Sequence, residues 1–131
     1  MWWRRKKSLG DRGEDLAARY LRRKGYKVLC RGLRNRLGEI DLVCRDRQTI
    51  VFVEVKTRSS DAAGQPFEAV DRDKQRRLTR AALAFLKQKG WLRRRARFDV
   101  VSILLGDETD KPEIRHFVNA FEAVGSGQMF C

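Results

Sequence analysis

Two short stretches, Gly38-Glu39-Ile40-Asp41-Leu42 and Val51-Phe52-Val53-Glu54-Val55-Lys56, alternate with period two, are rich in β-branched residues and are separated by a brief polar break. They read as neighbouring strands, and they carry ionisable side chains where strands of a core should carry none. Successive side chains of a strand point to opposite faces. Val51, Val53 and Val55 therefore point one way, and Phe52, Glu54 and Lys56 the other, with carboxylate and ammonium roughly 7 Å apart. On the first segment Glu39, Asp41 and Val43 share a face, opposite Ile40, Leu42 and Cys44.

An antiparallel hairpin with an even loop, either Arg47-Gln48 or Asp46 to Thr49, sets Asp41 opposite Glu54 and Glu39 opposite Lys56, with facing β-carbons roughly 4.5–5.5 Å apart. Two carboxylates that close repel each other unless a divalent cation sits between their oxygens, and a hard ion such as Mg²⁺ takes that kind of oxygen cage. Lys56 then lies within reach of a metal-bound water. Asp, Glu and Lys gathered at one spot on a hairpin form a constellation suited to cutting phosphodiesters. The competing reading is a structural salt bridge on a solvated strand face. One lysine against two carboxylates, with Glu39 adding a third, speaks against it.

Asp41 followed by Glu54-Val55-Lys56 resembles the signature of the PD-(D/E)xK nuclease superfamily, which includes restriction endonucleases and archaeal-type Holliday junction resolvases. Together with Gly13-Glu14-x-x-Ala17, Gly38 to Leu42, Phe52 to Arg58, Lys74-Gln75 and Phe98-Asp99-Val100, the pattern is similar to that of the YraN-like bacterial family, small proteins related to those resolvases. The resemblance runs from about Gly13 to Glu122. The superfamily's proline is absent, since Ile40 precedes Asp41. The resemblance implies a restriction-endonuclease-like α/β fold, an αβββαβ core whose mixed central sheet is flanked by helices. It implies Mg²⁺ or Mn²⁺ as cofactor, with Asp41 and Glu54 as ligands and the Val55 carbonyl completing the set. It also has Glu14 reach back to the metal; the plain reading of Glu14 is a first-turn acid favoured by the helix dipole.

A formal net charge of +13 implies a polyanionic partner, most simply nucleic acid. From Arg12 to Arg36 there are nine basic and two acidic residues, and from Arg72 to Arg97 eleven basic and one acidic, so the strand acids sit between two basic blocks. The bland reading of such charges is solvated helix faces. Three cysteines without C-x-x-C spacing suit a reduced cytoplasmic setting, with Cys30 and Cys44 as small buried side chains and Cys131 at the end of the chain. No apolar run reaches membrane-spanning length, and Met1 to Lys7 lacks the hydrophobic segment of a signal peptide.

At 131 residues the chain suits one domain. We expect a flexible basic extension over 1–11, the nuclease-like domain over 12–122 and a flexible tail over 123–131. Helix 1 is expected from about Arg12 to Lys24, with Gly25 as its stop. A first strand centres on Lys27 to Cys30, and the hairpin follows. A mobile loop is expected between Ser59 and Phe67, then a second helix from Asp71 to Lys89 with Gly90 as its stop, and a buried strand from Ala96 to Leu105. Ile114 to Phe121 reads equally as an edge strand or an irregular segment.

Lys74, Gln75 and Arg77 stand at the start of helix 2, where side chains and free amides can meet phosphates, and Arg58 follows the ExK strand, where it can touch the nucleic-acid backbone beside the cut. Asp99 is expected to pair with a basic side chain, while His116, Trp91, Trp2 and Trp3 are assigned to packing or surface. No base-reading motif is present, which suggests recognition by shape and charge. The reading is a metal-dependent endonuclease acting on structured DNA, branched or flapped, as a homodimer if it cuts two strands symmetrically. The alternative is a protein on the same fold that binds nucleic acid, RNA or the ribosome included, without cutting it.

Overall fold

The chain enters its first helix at Ser8, whose hydroxyl accepts the Asp11 N–H at 3.1 Å and so satisfies one of the amides a helix start leaves bare. This cap starts α1 (Leu9–Arg23) earlier than expected. Residues 9–11, assigned above to a flexible extension, form its first turn. The computed structural model describes residues 8–59, 70–106 and 111–124. The loop expected after Ser59 and the tail beyond 124 lie outside the described residues, as do Trp2, Trp3 and Cys131.

After α1 come β1 (Lys27–Asn35), β2 (Gly38–Asp46), β3 (Thr49–Ser59), α2 (Arg72–Lys89), β4 (Ala96–Leu105) and β5 (Glu113–Phe121). Gly25, at φ 94°, ends α1, and Gly90, at φ 73°, caps α2. Both take the left-handed backbone that glycine adopts without penalty. The five strands form one sheet in the order β1-β2-β3-β4-β5, antiparallel except that β3 and β4 run parallel across the α2 crossover. The mixed α/β sheet flanked by helices is thus the architecture expected, and Ile114 to Phe121 resolves as an edge strand.

The helices cover opposite faces. Ala17, Ala18 and Leu21 of α1 pack on Leu42, Cys44, Val51, Val53, Val101 and Ile103. Leu78, Ala81, Ala82, Phe85 and Leu86 of α2 pack on Val43, Phe52, Phe98 and Val100, with Phe52 edge-on to Phe85 at 6.0 Å. A strand covered on both sides must be apolar on both, which is why Ile50 to Val53 is an unbroken hydrophobic run. Burial also pushes the Cys44 thiol up to about 12, leaving it an inert packing group.

A buried charge fastens β5. Asp99, with 0% exposure, accepts hydrogen bonds from Arg97 Nε at 2.9 Å, the Asn119 N–H at 2.9 Å and His116 Nε2 at 2.7 Å. Asn119 turns to φ 53° to present that amide. Burial alone would raise the Asp99 carboxyl, but His116, Arg97 and Asn119 together hold it below the usual carboxylate range. Asp99 therefore does pair with a basic side chain. His116, assigned above to packing or surface, packs here with two polar partners: Lys24 Nζ, an obligate donor, meets its Nδ1 at 3.2 Å, which leaves the ring proton on Nε2 for Asp99. With both nitrogens engaged and its side chain 1% exposed, this ring ties β5 to β4 and α1.

Candidate functional site

The β2–β3 hairpin turns on Arg47-Gln48, with Arg47 at φ 57°, and its register is the expected one: Asp46 with Thr49, then inward to Leu42 with Val53. There the ladder stops. Asp41 and Glu54 are not backbone partners; instead the Val55 N–H donates to Asp41 Oδ2 at 2.8 Å, so the carboxylate takes a donor that continued pairing would have used. The cause is a break in β2's alternation. Ile40 packs with Val43 on the α2 side, whereas Leu42 and Cys44 face α1, so one step of the period is lost around Asp41. Such irregularities re-aim side chains at sheet openings.

This corrects two expectations. Asp41 and Val43 do not share a simple face, and Glu39 does not face Lys56. Glu39 pairs in register with Arg34 of β1 and forms an ion pair with its guanidinium, while Lys56 stands beside Ser102 of β4. The central expectation holds in altered form: the Asp41 and Glu54 carboxyls come within hydrogen-bonding reach of each other across the opened hairpin.

Around this pair lies a cleft of about 390 Å³ lined by Gly38, Glu39, Asp41, Glu54, Lys74, Arg77 and Leu78. Glu54 is 8% exposed. Burial first, then the hydrogen bond and the charge of Asp41, push its carboxyl up to about 8; Lys74 and Lys56 oppose this only in part. Lys56 is lowered, mainly by burial and then by the nearby Lys74 ammonium. Lys74 feels the same burial, but its hydrogen bond with Lys56 and the charge of Glu54 leave it raised.

Lys74 belongs to the acid pair itself. Its Nζ lies 3.3 Å from Glu54 Oε1. A second ammonium thus faces the two acids, delivered by α2, and the sequence argument that one lysine must serve both is superseded. Arg77 lines the same cleft and makes no ion pair among the described residues. The expected free amides at this helix start are not all free: the Asp71 carboxylate accepts the Lys74 N–H at 2.8 Å and the Asp71 carbonyl accepts the Gln75 N–H at 2.9 Å. Gln75 turns its side-chain amide back to the Val70 carbonyl at 3.1 Å, away from the phosphate role expected of it. Arg58 is half-buried at the end of β3, in register with Leu104.

Glu14 approaches from α1. Burial raises its carboxyl, and the charge of Asp41 raises it further, so the two sense each other. What lets α1 come so near is Gly13: a Cβ there would lie 1.7 Å from Thr57 Oγ1. Among the described residues no three of His, Cys, Asp and Glu gather closely enough to hold an ion by themselves. A cation at this site would rest on Asp41, Glu54 and the backbone. Val55 would offer it, since the N–H and C=O of one strand residue point to the same side, and its N–H is turned to Asp41.

A family model described as Uncharacterised protein family UPF0102 matches residues 13–103. The chain belongs to the UPF0102 family. A UPF0102 protein of Geobacter sulfurreducens is 53% identical over 116 residues, covering 88% of this chain and 90% of that one. Another, of Syntrophomonas wolfei subsp. wolfei, is 50% identical over 115 residues, covering 88% and 98%. The YraN-like resemblance drawn from the motifs is therefore sound. The matched UPF0102 span starts at Gly13, where α1 meets β3, and ends at Ile103 in β4, so it contains Glu14, Asp41, Glu54, Lys56, Lys74 and Arg77 and leaves out β5.

Proposed function

We propose that this UPF0102 protein is a metal-dependent endonuclease of the PD-(D/E)xK type that hydrolyses phosphodiester bonds in structured DNA. The observation that carries this reading is the meeting of Asp41 and Glu54 where the hairpin opens, with Lys56 on the same strand and a basic helix across the cleft. A buried carboxylate pair is expensive to ionise; the chain keeps it beside two ammonium groups in an open cleft, which a merely structural pair would not need.

The donor set fits a hard divalent ion: two carboxylates and the Val55 carbonyl, all oxygen. When bound, Mg²⁺ or Mn²⁺ polarises the phosphate and lowers the pKa of a water. The chain's own residues do the rest. Lys56 orients the attacking water and, as the neutral amine, takes its proton, or as the ammonium offsets charge on the phosphate oxygens as the bond to the leaving oxygen breaks. Arg77 holds the neighbouring phosphate as a point of attachment. The Val55 N–H, which donates to Asp41 Oδ2, fixes the aim of the Asp41 carboxylate, and Glu14 stands near enough to feel its charge. Cutting both strands of a branched substrate symmetrically needs two copies, so a homodimer on the DNA belongs to this reading. Among the described residues no helix is long and apolar enough to cross a membrane.

One observation favours a second reading. The 3.3 Å pair between Lys74 and Glu54 gives the acids a counter-charge without any metal, as suits a protein that binds nucleic acid and leaves it intact. Incubation with four-way junction, flap, linear duplex and single-stranded DNA, in Mg²⁺, Mn²⁺ or EDTA, separates the two. The proposal expects cleavage that requires the metal and disappears in Asp41→Asn, Glu54→Gln and Lys56→Met. Cleavage that persists in those variants, or binding without cleavage of any substrate, overturns it.

A further inference from the structure

We infer that Lys74 is an exchangeable counter-cation: its ammonium holds Glu54 until a divalent ion takes the acid pair, then turns to a phosphate of the nucleic acid, so that metal and nucleic acid bind cooperatively through this one side chain. The inference rests on the metal-dependent reading above and adds its regulation.

Charge and position argue for it. Asp41 and Glu54 face Lys56 and Lys74, two acids against two amines, with Lys74 Nζ 3.3 Å from Glu54 Oε1 and its charge felt at Lys56. Like charges so placed repel, and the acids that face them offset this. A divalent ion between the carboxylates leaves two surplus positive charges, and one lysine must move away or find a new anion. Lys56 has little freedom to do so, being set in the middle of the sheet beside Ser102.

Lys74 differs. It stands in the first turn of α2 with its side chain 30% exposed, on the wall of the cleft that Arg77 also lines. Rotation of its flexible stem takes the ammonium from Glu54 toward the side where Arg77 waits without an ion pair among the described residues. A phosphodiester there restores a negative charge and engages both cations. Each ligand thereby removes the cost the other would meet: metal releases the lysine for phosphate, and phosphate takes the lysine from the metal's carboxylate. Linkage requires the two effects to be equal in size.

The test uses the full chain and two binding measurements. Mn²⁺ binding without nucleic acid, followed by the electron paramagnetic resonance of free Mn²⁺, should be about tenfold tighter in Lys74→Met than in wild type, because the competing ammonium is gone. Binding of a fluorescent four-way junction, measured by anisotropy at fixed ionic strength, should tighten in wild type when Ca²⁺ is added, and the tightening should be about tenfold smaller in Lys74→Met, where only the ion's own attraction for the phosphate remains. Lys74→Gln serves the same purpose if the methionine variant does not fold, with thermal melts to verify either. Equal Mn²⁺ affinity in wild type and variant, or a Ca²⁺ enhancement of equal size in both, overturns the inference while leaving the metal reading intact. Absence of Mn²⁺ binding in wild type and variant alike removes both.

Discussion

Replacing Gly13 by alanine sets two opposed effects against each other, and the structure says which wins. In an open helix the change should stabilise by about 1 kcal/mol, since glycine is the poorer helix former. Here the new Cβ would lie 1.7 Å from Thr57 Oγ1, 2.9 Å from its Cγ2 and 2.8 Å from its Cβ. Turning the threonine about χ1 relieves the first two contacts but not the third, because Cβ is fixed to the strand. Either α1 or β3 must therefore shift, at about 1–3 kcal/mol for overpacking. The net effect runs from near zero to a loss of about 2 kcal/mol, or up to roughly 7 °C in Tm for a chain of this length. Urea and thermal denaturation of Gly13→Ala, Thr57→Ala and the double variant measure it. Thr57→Ala removes two of the three contacts, so Gly13→Ala should cost less in that background, with a coupling of about 1 kcal/mol. A Gly13→Ala protein that melts higher than wild type, or a cost unchanged when Thr57 is trimmed, would refute the close approach of α1 to β3 and the positioning of Glu14 that depends on it.

Further expectations concern charge. Because the Glu54 carboxyl is raised, its contribution to stability is complete below about pH 4.5 and lost as pH climbs to about 8; wild-type Tm should fall across that window while Glu54→Gln stays flatter, the difference bounded at about 5 kcal/mol. Equal pH slopes in the two proteins would refute the buried acid pair. Asp99 is lowered, so its contribution is present above the usual carboxylate range and lost only as pH drops through its depressed value. Asp99→Ala, which takes the buried acceptor from Arg97 and His116, should cost about 3 kcal/mol by urea denaturation, the low end for a broken buried pair because Arg97 keeps Asp46 and Tyr26, and a loss under 1 kcal/mol would count against the network. In titrations of a four-way junction against salt, Arg77→Ala should lower the log–log slope by about 1, as loss of one phosphate contact requires; an unchanged slope places Arg77 away from the nucleic acid.

Most of the fold was legible because its signals are local. Gly25 and Gly90 mark helix ends, the stretch from Ala96 to Leu105, alternating at first and then largely apolar from Val100, marks a buried strand, and the two-residue turn at Arg47-Gln48 fixes the hairpin register. Two features were missed for physical reasons that differ. Ser8 with Asp11 three residues on is a capping pair, readable in principle, but the surrounding basic run obscured it. The Asp99–His116 contact joins strands whose pairing depends on a register slip between Phe98 and Val100, and no local pattern announces that. The chain's single histidine gave no periodic cue either.

The site was half legible, and the missing half changes the argument about it. Strict alternation brought Asp41 and Glu54 together on paper, and they do meet, but through a broken period at Asp41 that depends on Ile40 finding the α2 core. Counting charges along the two strands left two acids with one lysine, a deficit that a metal would fill. Lys74 fills it from across the crossover. Its own sequence context held the clue, since Lys74, Leu78, Ala81 and Phe85 follow the spacing of one helix stripe and the other three are buried. A lysine extending an apolar stripe must either reach past it to water or find an acid beneath it, and the acid here is Glu54. The question for the cleft is therefore which cation Glu54 keeps. A divalent ion carries twice the charge and immobilises no flexible stem, so it prevails once a phosphate offers the ammonium another partner, and a nucleic acid that never brings a phosphate to the wall of α2 leaves the lysine where it is.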